Sequence, residues 1–142
     1  MEMMKSMAQS MAQSMSMDSM PMDMHMDMGA MQECIQAMNS CSMAATMCAA
    51  TDMSMGAEMA TCAAMCSNMA NLADAGMRMM MRPMGMNMDV MQTMLMACMT
   101  MGKACAAECR MHAEMDEMCR YCAMACDDMV AKCEAVMASM TA

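Results

Sequence analysis

The sequence predicts an all-α protein, an antiparallel four-helix bundle with a Met-rich N-terminal tail, on three observations. Its 142 residues hold 40 Met, 12 Cys and 26 Ala, but only six Leu, Ile and Val in total and one aromatic, Tyr121. Met and Ala must therefore make the core, and both are strong helix formers that strands do not favour. From residue 30 onward apolar residues recur in alternating steps of four and three, the repeat that turns one stripe of a helix inward. The breaks between these stripes are short, which lays consecutive long helices antiparallel.

Residues 1–29 stand apart as the tail. A short repeat, Met7-Ala8-Gln9-Ser10 then Met11-Ala12-Gln13-Ser14, leads into alternating Met-x-Met around His25, with Pro21 and Gly29 as punctuation. Alternation of period two without β-branched residues makes a poor strand, so the expectation is a mobile segment, helical over about 3–17. Residues 30–142 form the bundle.

The first bundle helix is expected at about 30–51, with a seam of Met31, Cys34, Met38, Cys41, Ala45 and Cys48. The second, at about 55–81, takes Asp52 or Ser54 as its cap and Glu58 in its first turn; its seam is Met55, Met59, Cys62, Cys66, Met69 and Ala73. Arg82-Pro83-Met84-Gly85-Met86-Asn87 breaks the chain. The third helix, about 88–112, turns Met91, Leu95, Cys98, Gly102, Cys105, Cys109 and His112 inward. The fourth, about 114–140, does so with Met115, Cys119, Cys122, Cys126, Met129, Cys133, Val136 and Met140. All twelve Cys fall on the four seams, so the interior reads as a tube of thiols and thioethers.

Charge and composition exclude several functions. With 7 basic and 16 acidic residues the net charge is −9, which repels phosphate backbones, and there is no aromatic platform for bases; nucleic-acid binding is not expected. No run of apolar residues is long enough to span a membrane, and the N-terminus lacks the pattern of a signal peptide. No Ser, His and acid arrangement suggests an enzyme. The acidic residues Glu108, Glu114, Asp116, Glu117, Asp127 and Asp128 fall mostly off the seams and read as a solvated face. Free thiols call for a reducing compartment, so the chain reads as cytoplasmic, with a periplasmic or exported protein as the alternative that the Met-x-Met tail favours.

The Cys spacing points to metal. Residues four apart on a helix have Cβ atoms about 5 to 6 Å apart, too far for a disulfide. Cys62/Cys66, Cys105/Cys109 and Cys122/Cys126 instead suit a two-coordinate ion, whose collinear sulfur bonds span about 4.6 Å. Soft thiolates and thioethers select Cu(I), and pairs repeating about every 10 Å along facing helices suggest many such ions in series, the geometry of a store. All twelve Cys are candidate ligands: Cys34, Cys41, Cys48, Cys62, Cys66, Cys98, Cys105, Cys109, Cys119, Cys122, Cys126 and Cys133. Met55, Met59, Met91 and Met115, near the bundle ends, are candidate thioether ligands. His112 is either a further ligand or a solvated partner of the helix dipole. Alternatives are a zinc or cadmium buffer, an iron–sulfur protein on the one CxxC, Cys119 and Cys122, and an engineered or structural Met-rich bundle without metal function.

Over about residues 33–138 the sequence resembles the bacterial copper storage proteins, and the cytosolic branch most. The resemblance rests on Glu33-Cys34, on Cys62-Ala63-Ala64-Met65-Cys66, and on Ala97-Cys98 followed by Gly102-Lys103-Ala104-Cys105-Ala106-Ala107-Glu108-Cys109-Arg110-Met111-His112-Ala113. It ends in Cys119-Arg120-Tyr121-Cys122-Ala123-Met124-Ala125-Cys126. It implies a homotetramer of bundles, thiolate-bound Cu(I) along each core and a mouth with His or Met ligands at one end. Outward methionines such as Met47 and Met99 would supply the tetramer contacts. Where the family often has His before the first Cys of the fourth helix, this chain has Asp116-Glu117-Met118-Cys119, which leaves mouth chemistry to His112 and Met115. Met stands nearly everywhere Leu is expected, as at Met43, Met53, Met96, Met99, Met124 and Met137, and Cys is sparser than in the richest members. The Met-x-Met run around His25 is similar to the extended Met motifs of extracytoplasmic copper-handling proteins, which implies a collector that passes Cu(I) to the bundle.

Overall fold

The computed structural model describes residues 1–14, 27–85 and 87–141. His25 and most of the Met-x-Met run lie outside the described residues. Five helices follow one another: α1 (Glu2–Ser14), α2 (Met28–Met53), α3 (Ala60–Met80), α4 (Met88–Met111) and α5 (Glu117–Thr141). Among the described residues there is no strand, and no helix is long and apolar enough to cross a membrane.

The bundle is α2 to α5. Each helix packs on two neighbours, α2 on α3 and α5, and α4 on α3 and α5, so the four close a ring around one core. Asp27 starts α2 by accepting hydrogen bonds from the backbone N–H of Gly29 at 2.9 Å and Ala30 at 3.3 Å, and Asn87 starts α4 by accepting from Val90 N–H at 2.9 Å. Asp116 caps α5 through Met118 N–H at 2.9 Å. Two helices begin later than the sequence suggests. Gly56 takes φ +100°, a left-handed conformation that ends the approach from α2, and a 3₁₀ turn over Ala57–Met59 delays α3 to Ala60. The turn through His112–Met115 delays α5 to Glu117.

The seams face inward. Met38, Met69 and Met129 are fully buried together with Leu95, Val136 and all twelve thiols. The corners of the seams differ: Met55 lies in the α2–α3 loop and Met115 in the α4–α5 turn, 36% and 66% exposed, because the helices that would have turned them inward start after them. Met99, read as an outer-face residue, is partly buried against the core, whereas Met43, Met47, Met96 and Met124 do point outward. The N-terminal helix α1 rests on α2, where Met1, Met4, Lys5 and Gln9 face Gln32, Ile35, Gln36 and Asn39 across a cavity of about 260 Å³.

Gly102 sets the spacing of α4 and α5. A Cβ there would fall 2.7 Å from Val130 Cγ2 and 2.8 Å from Met129 Cε. Gly102→Ala should therefore cost about 1 to 3 kcal/mol in denaturant unfolding of the metal-free protein. Gly85→Ala, in open space, should change stability by less than about 0.5 kcal/mol.

Candidate metal centre

The shortest thiol–thiol contacts run between helices. On α2 and α5, Cys34 meets Cys133 at 3.7 Å, Cys41 meets Cys126 at 3.7 Å and Cys48 meets Cys119 at 3.6 Å. Each step of seven up α2 is matched by a step of seven down α5, as antiparallel seams in fixed register require. Across the core, Cys66 on α3 lies 3.6 Å from Cys109 and 3.9 Å from Cys105 on α4, and 3.9 Å from Cys122 on α5. Cys62 lies 4.0 Å from Cys66, Cys109 and Cys119 alike. The same-helix pairs that spacing singles out are thus the longer part of the network: Cys62/Cys66 stands at 4.0 Å, no closer than Cys62 to two other helices. Periodicity fixes which face each Cys is on, but how the facing helices interlock decides its nearest sulfur.

Three groups bring ligand atoms within 4.8 Å of one another: Cys48, Cys66, Cys109 and Cys122; Cys48, Asp52, Cys62 and Cys119; and Cys105, Cys122 and Cys126. With the Cys41–Cys126 contact these join nine thiols, Cys41, Cys48, Cys62, Cys66, Cys105, Cys109, Cys119, Cys122 and Cys126, into one network. Cys34 and Cys133 form a separate pair, and Cys98 stands apart, 3.9 Å from the Met94 sulfur.

Two carboxylates belong to this centre and sequence reasoning placed both elsewhere. Asp52, expected as a helix cap, sits in the last turn of α2, fully buried. Its oxygens lie 3.8 Å from Cys48 Sγ and 3.6 Å from Cys119 Sγ. Asp116, expected on a solvated face, is 8% exposed; while one oxygen caps α5, the other is 3.5 Å from Cys119 Sγ. The available signal was Asp116 at three residues before a seam Cys, one helical turn away. The end of the bundle formed by Asp52, Asp116, Cys48, Cys62 and Cys119 therefore presents oxygen beside sulfur. An open hollow of about 570 Å³ between α2 and α3 reaches Asp52, lined also by Met53, Gly56 and Ala57.

The candidate methionines and His112 stand away from the thiol groups. Met59, at the start of α3, and Met91, in the first turn of α4, are buried at opposite ends of the bundle, and Met55 and Met115 are on the surface. His112 caps the C-terminus of α4 and pairs through Nε2 with Glu108 at 2.9 Å, both side chains 16% exposed. Glu108, assigned to the solvated face, is drawn half-inward by that pair. Among the described residues the sulfurs that do touch a Cys as thioethers are Met94 and Met129, the latter 3.6 Å from Cys133.

Seven of the thiols are held toward the protonated form and one is pulled the other way. Burial pushes Cys62, Cys98 and Cys119 up, Cys98 to about 12. Hydrogen bonding with Cys105 holds Cys66, Cys109 and Cys122 up. Cys34 does the same to Cys133. Cys105, which receives hydrogen bonds from Cys109 and Cys122, is pulled down to about 5. Within this group negative charge is easiest at Cys105, at the expense of its hydrogen-bonded neighbours Cys66, Cys109 and Cys122.

Four antiparallel helices closed on a core of thiols define a soft-metal-binding bundle. The chain belongs to the copper storage protein family, whose family model matches residues 27–138. The structure is similar to a copper storage protein from Streptomyces lividans, Ccsp, loaded with 10 copper equivalents: TM-score 0.84, 28% identity, 93% of this chain and 98% of that one covered. A cytosolic copper storage protein from the same organism, with five coppers, matches at TM-score 0.75 and 33% identity over 78% of this chain and 93% of that one. A Ccsp variant with one His-to-Ala replacement matches at TM-score 0.79 and 32% identity over 82% and 98%. No curated protein sequence matches the chain.

The raised thiols also set how metal-free stability depends on pH. Below the ordinary value of 9.0 the folded and unfolded chains both hold these protons. Above it the unfolded chain ionises and the buried thiols do not, so each further pH unit favours unfolding. Cys105 acts oppositely, adding stability from about pH 5 upward. The reduced apo protein should therefore show a Tm that holds or rises to about pH 9 and falls steeply beyond it; a Tm still rising at about pH 10.5 contradicts these environments.

Proposed function

We propose that this protein stores copper as Cu(I), many ions to a chain, on the Cys thiolates of the bundle core. The observation that carries the reading is the network of nine thiols, with sulfurs 3.6 to 4.0 Å from their neighbours across three or more helices. With a metal–sulfur bond of about 2.3 Å, two sulfurs of a trigonal ion stand about 4.0 Å apart and those of a linear ion about 4.6 Å. The thiols are therefore spaced to bridge between ions with small shifts of soft side chains, and Cu(I) accepts two or three sulfurs. Cys34, Cys98 and Cys133 extend the store beyond the network. His112, Met55, Met59, Met91 and Met115 are the proposed ligands or acceptors toward the ends. Deposition of copper needs no catalysis, so the role is sequestration rather than turnover.

Placement in the cytosol is supported by the Streptomyces lividans relative described as cytosolic, and by the free state of all twelve thiols. A homotetramer would bury outward methionines such as Met43, Met47, Met96 and Met124 and is weighed directly by light scattering. One observation favours a second reading. Cys48, Cys66, Cys109 and Cys122 form a compact four-sulfur group, and tetrahedral zinc would space its sulfurs about 3.8 Å apart. Zinc could satisfy that group but not the remaining thiols.

The deciding experiment is an anaerobic Cu(I) titration of the reduced, metal-free protein against a coloured chelator, with the thiols counted beforehand. About nine or more equivalents should leave the chelator. Because each thiol must lose its proton to bind, affinity should fall about tenfold per displaced proton for each unit the pH is lowered. Uptake of one or two equivalents, or zinc held in preference to copper, would favour the other readings.

A further inference from the structure

Where the thiol network runs out, methionine sulfur takes its place. Cys98 and Cys133, the thiols of α4 and α5 outside the network, each have a Met four residues earlier with its sulfur in contact: Met94 Sδ at 3.9 Å and Met129 Sδ at 3.6 Å. Met129 is fully buried and Met94 7% exposed. Two more facts single out Met94 among so many methionines. First, Gly76 on α3 leaves a cradle over the Cys98–Met94 pair: a Cβ there would lie 3.0 Å from Cys98 Sγ and 3.1 Å from Met94 Sδ, with the Met38 methyl 3.3 Å away, so both sulfurs face the same spot of backbone. Second, Met94 reaches the outside, since with Met79, Asp89, Val90, Thr93 and Ala97 it lines a surface hollow of about 450 Å³ between α3 and α4. The hollow is reached without passing the carboxylate-lined end at Asp52 and Asp116.

We propose that Met94 with Cys98, and Met129 with Cys133 and Cys34, form two mixed thiolate–thioether Cu(I) sites, the first open to the surface hollow beside Met94. This rests on the storage reading above. Charge supports it. A Cu(I) ion held by two thiolates carries a net charge of −1, and a series of such sites in an apolar core is costly. At Cys98–Met94 the thiol gives up one proton and the neutral thioether supplies the second bond, so the ion with its ligands has no net charge. At Cys34–Cys133–Met129 two thiols lose protons and the thioether completes a trigonal set around an ion of net −1. A thioether is as soft as a thiolate and binds Cu(I) without titrating, but more weakly for want of charge. These two sites should therefore fill last and release copper first.

The test uses the full-length protein with Met94→Leu and Met129→Leu, singly and together. Leu preserves volume and apolarity and removes only the sulfur, so the apo fold should persist; circular dichroism and Tm check it. In the chelator titration each single variant should lose one of the last equivalents or weaken it at least tenfold, and the double variant two, with the first nine unchanged. Met69→Leu, at a fully buried Met outside the Gly76 cradle, should titrate like the wild type. Gly76→Ala, which puts a methyl group in the cradle, should reproduce the Met94→Leu loss. If the double variant cannot be folded, the singles read the same losses one at a time. Variants that titrate as the wild type does overturn the mixed sites while leaving storage intact. A wild-type protein that takes up no copper overturns the storage reading itself, and the mixed sites with it.

Discussion

Sulfur touches sulfur across the α2–α5 interface at 3.6 to 3.7 Å three times, at Cys34/Cys133, Cys41/Cys126 and Cys48/Cys119, and the geometry of the core depends on that register. A thiol is a small apolar group with a weak hydrogen bond, so stacking it at seven-residue intervals packs two helices closely without large side chains. Gly102 on α4 and Ala73 on α3, both turned inward, serve the same closeness elsewhere in the ring. The long, pliant methionines fill what remains. Such a core is held by contact and by burial rather than by any one strong bond, and its sulfurs can shift by tenths of an ångström at small cost. A core meant to be filled with ions must have that freedom, which a jigsaw of Leu and Phe would lack.

The same packing explains the electrostatic character of the centre. Burial and hydrogen bonds between thiols hold seven of them in the protonated form, Cys98 up to about 12, so the apo core is a nearly neutral interior rather than a cage of repelling anions. On loading, protons would leave as ions arrive, which offsets much of the charge each ion and its ligands bring. At one end the arrangement changes: Asp52 and Asp116 put carboxylate oxygens against Cys119, with Cys48 and Cys62 within reach. At the opposite end Met31, Met80 and Met91 are buried.

Much of the fold was legible because it follows from local rules. Steps of four and three put all twelve Cys on inward stripes, and every one of them is buried. The break at Arg82–Asn87 follows from side-chain chemistry near the chain, whereas the caps at Asp27 and Asn87 were seen only in the fold. What could not be read is what depends on two helices at once. The Cys62/Cys66 spacing is visible in the chain, whereas Cys66 against Cys109 at 3.6 Å is set by the offset of α3 and α4. Asp52 looked like the start of a helix because Asp so often is; only the position of Gly56, which delays the next helix, leaves it in the turn before. Met94 was overlooked because it flanks the stripe, next to Leu95, and a bundle this closely packed buries the flanking position as well.

The central claim is that this core binds copper as sulfur-bridged Cu(I) rather than as isolated ions in polar sites. The most direct measurement is X-ray absorption at the copper edge on protein loaded anaerobically with about nine equivalents. The account predicts the edge of Cu(I), two to three sulfur neighbours at roughly 2.3 Å, and scattering from neighbouring copper ions. Copper surrounded by four nitrogen or oxygen neighbours, with no second copper in range, would contradict it.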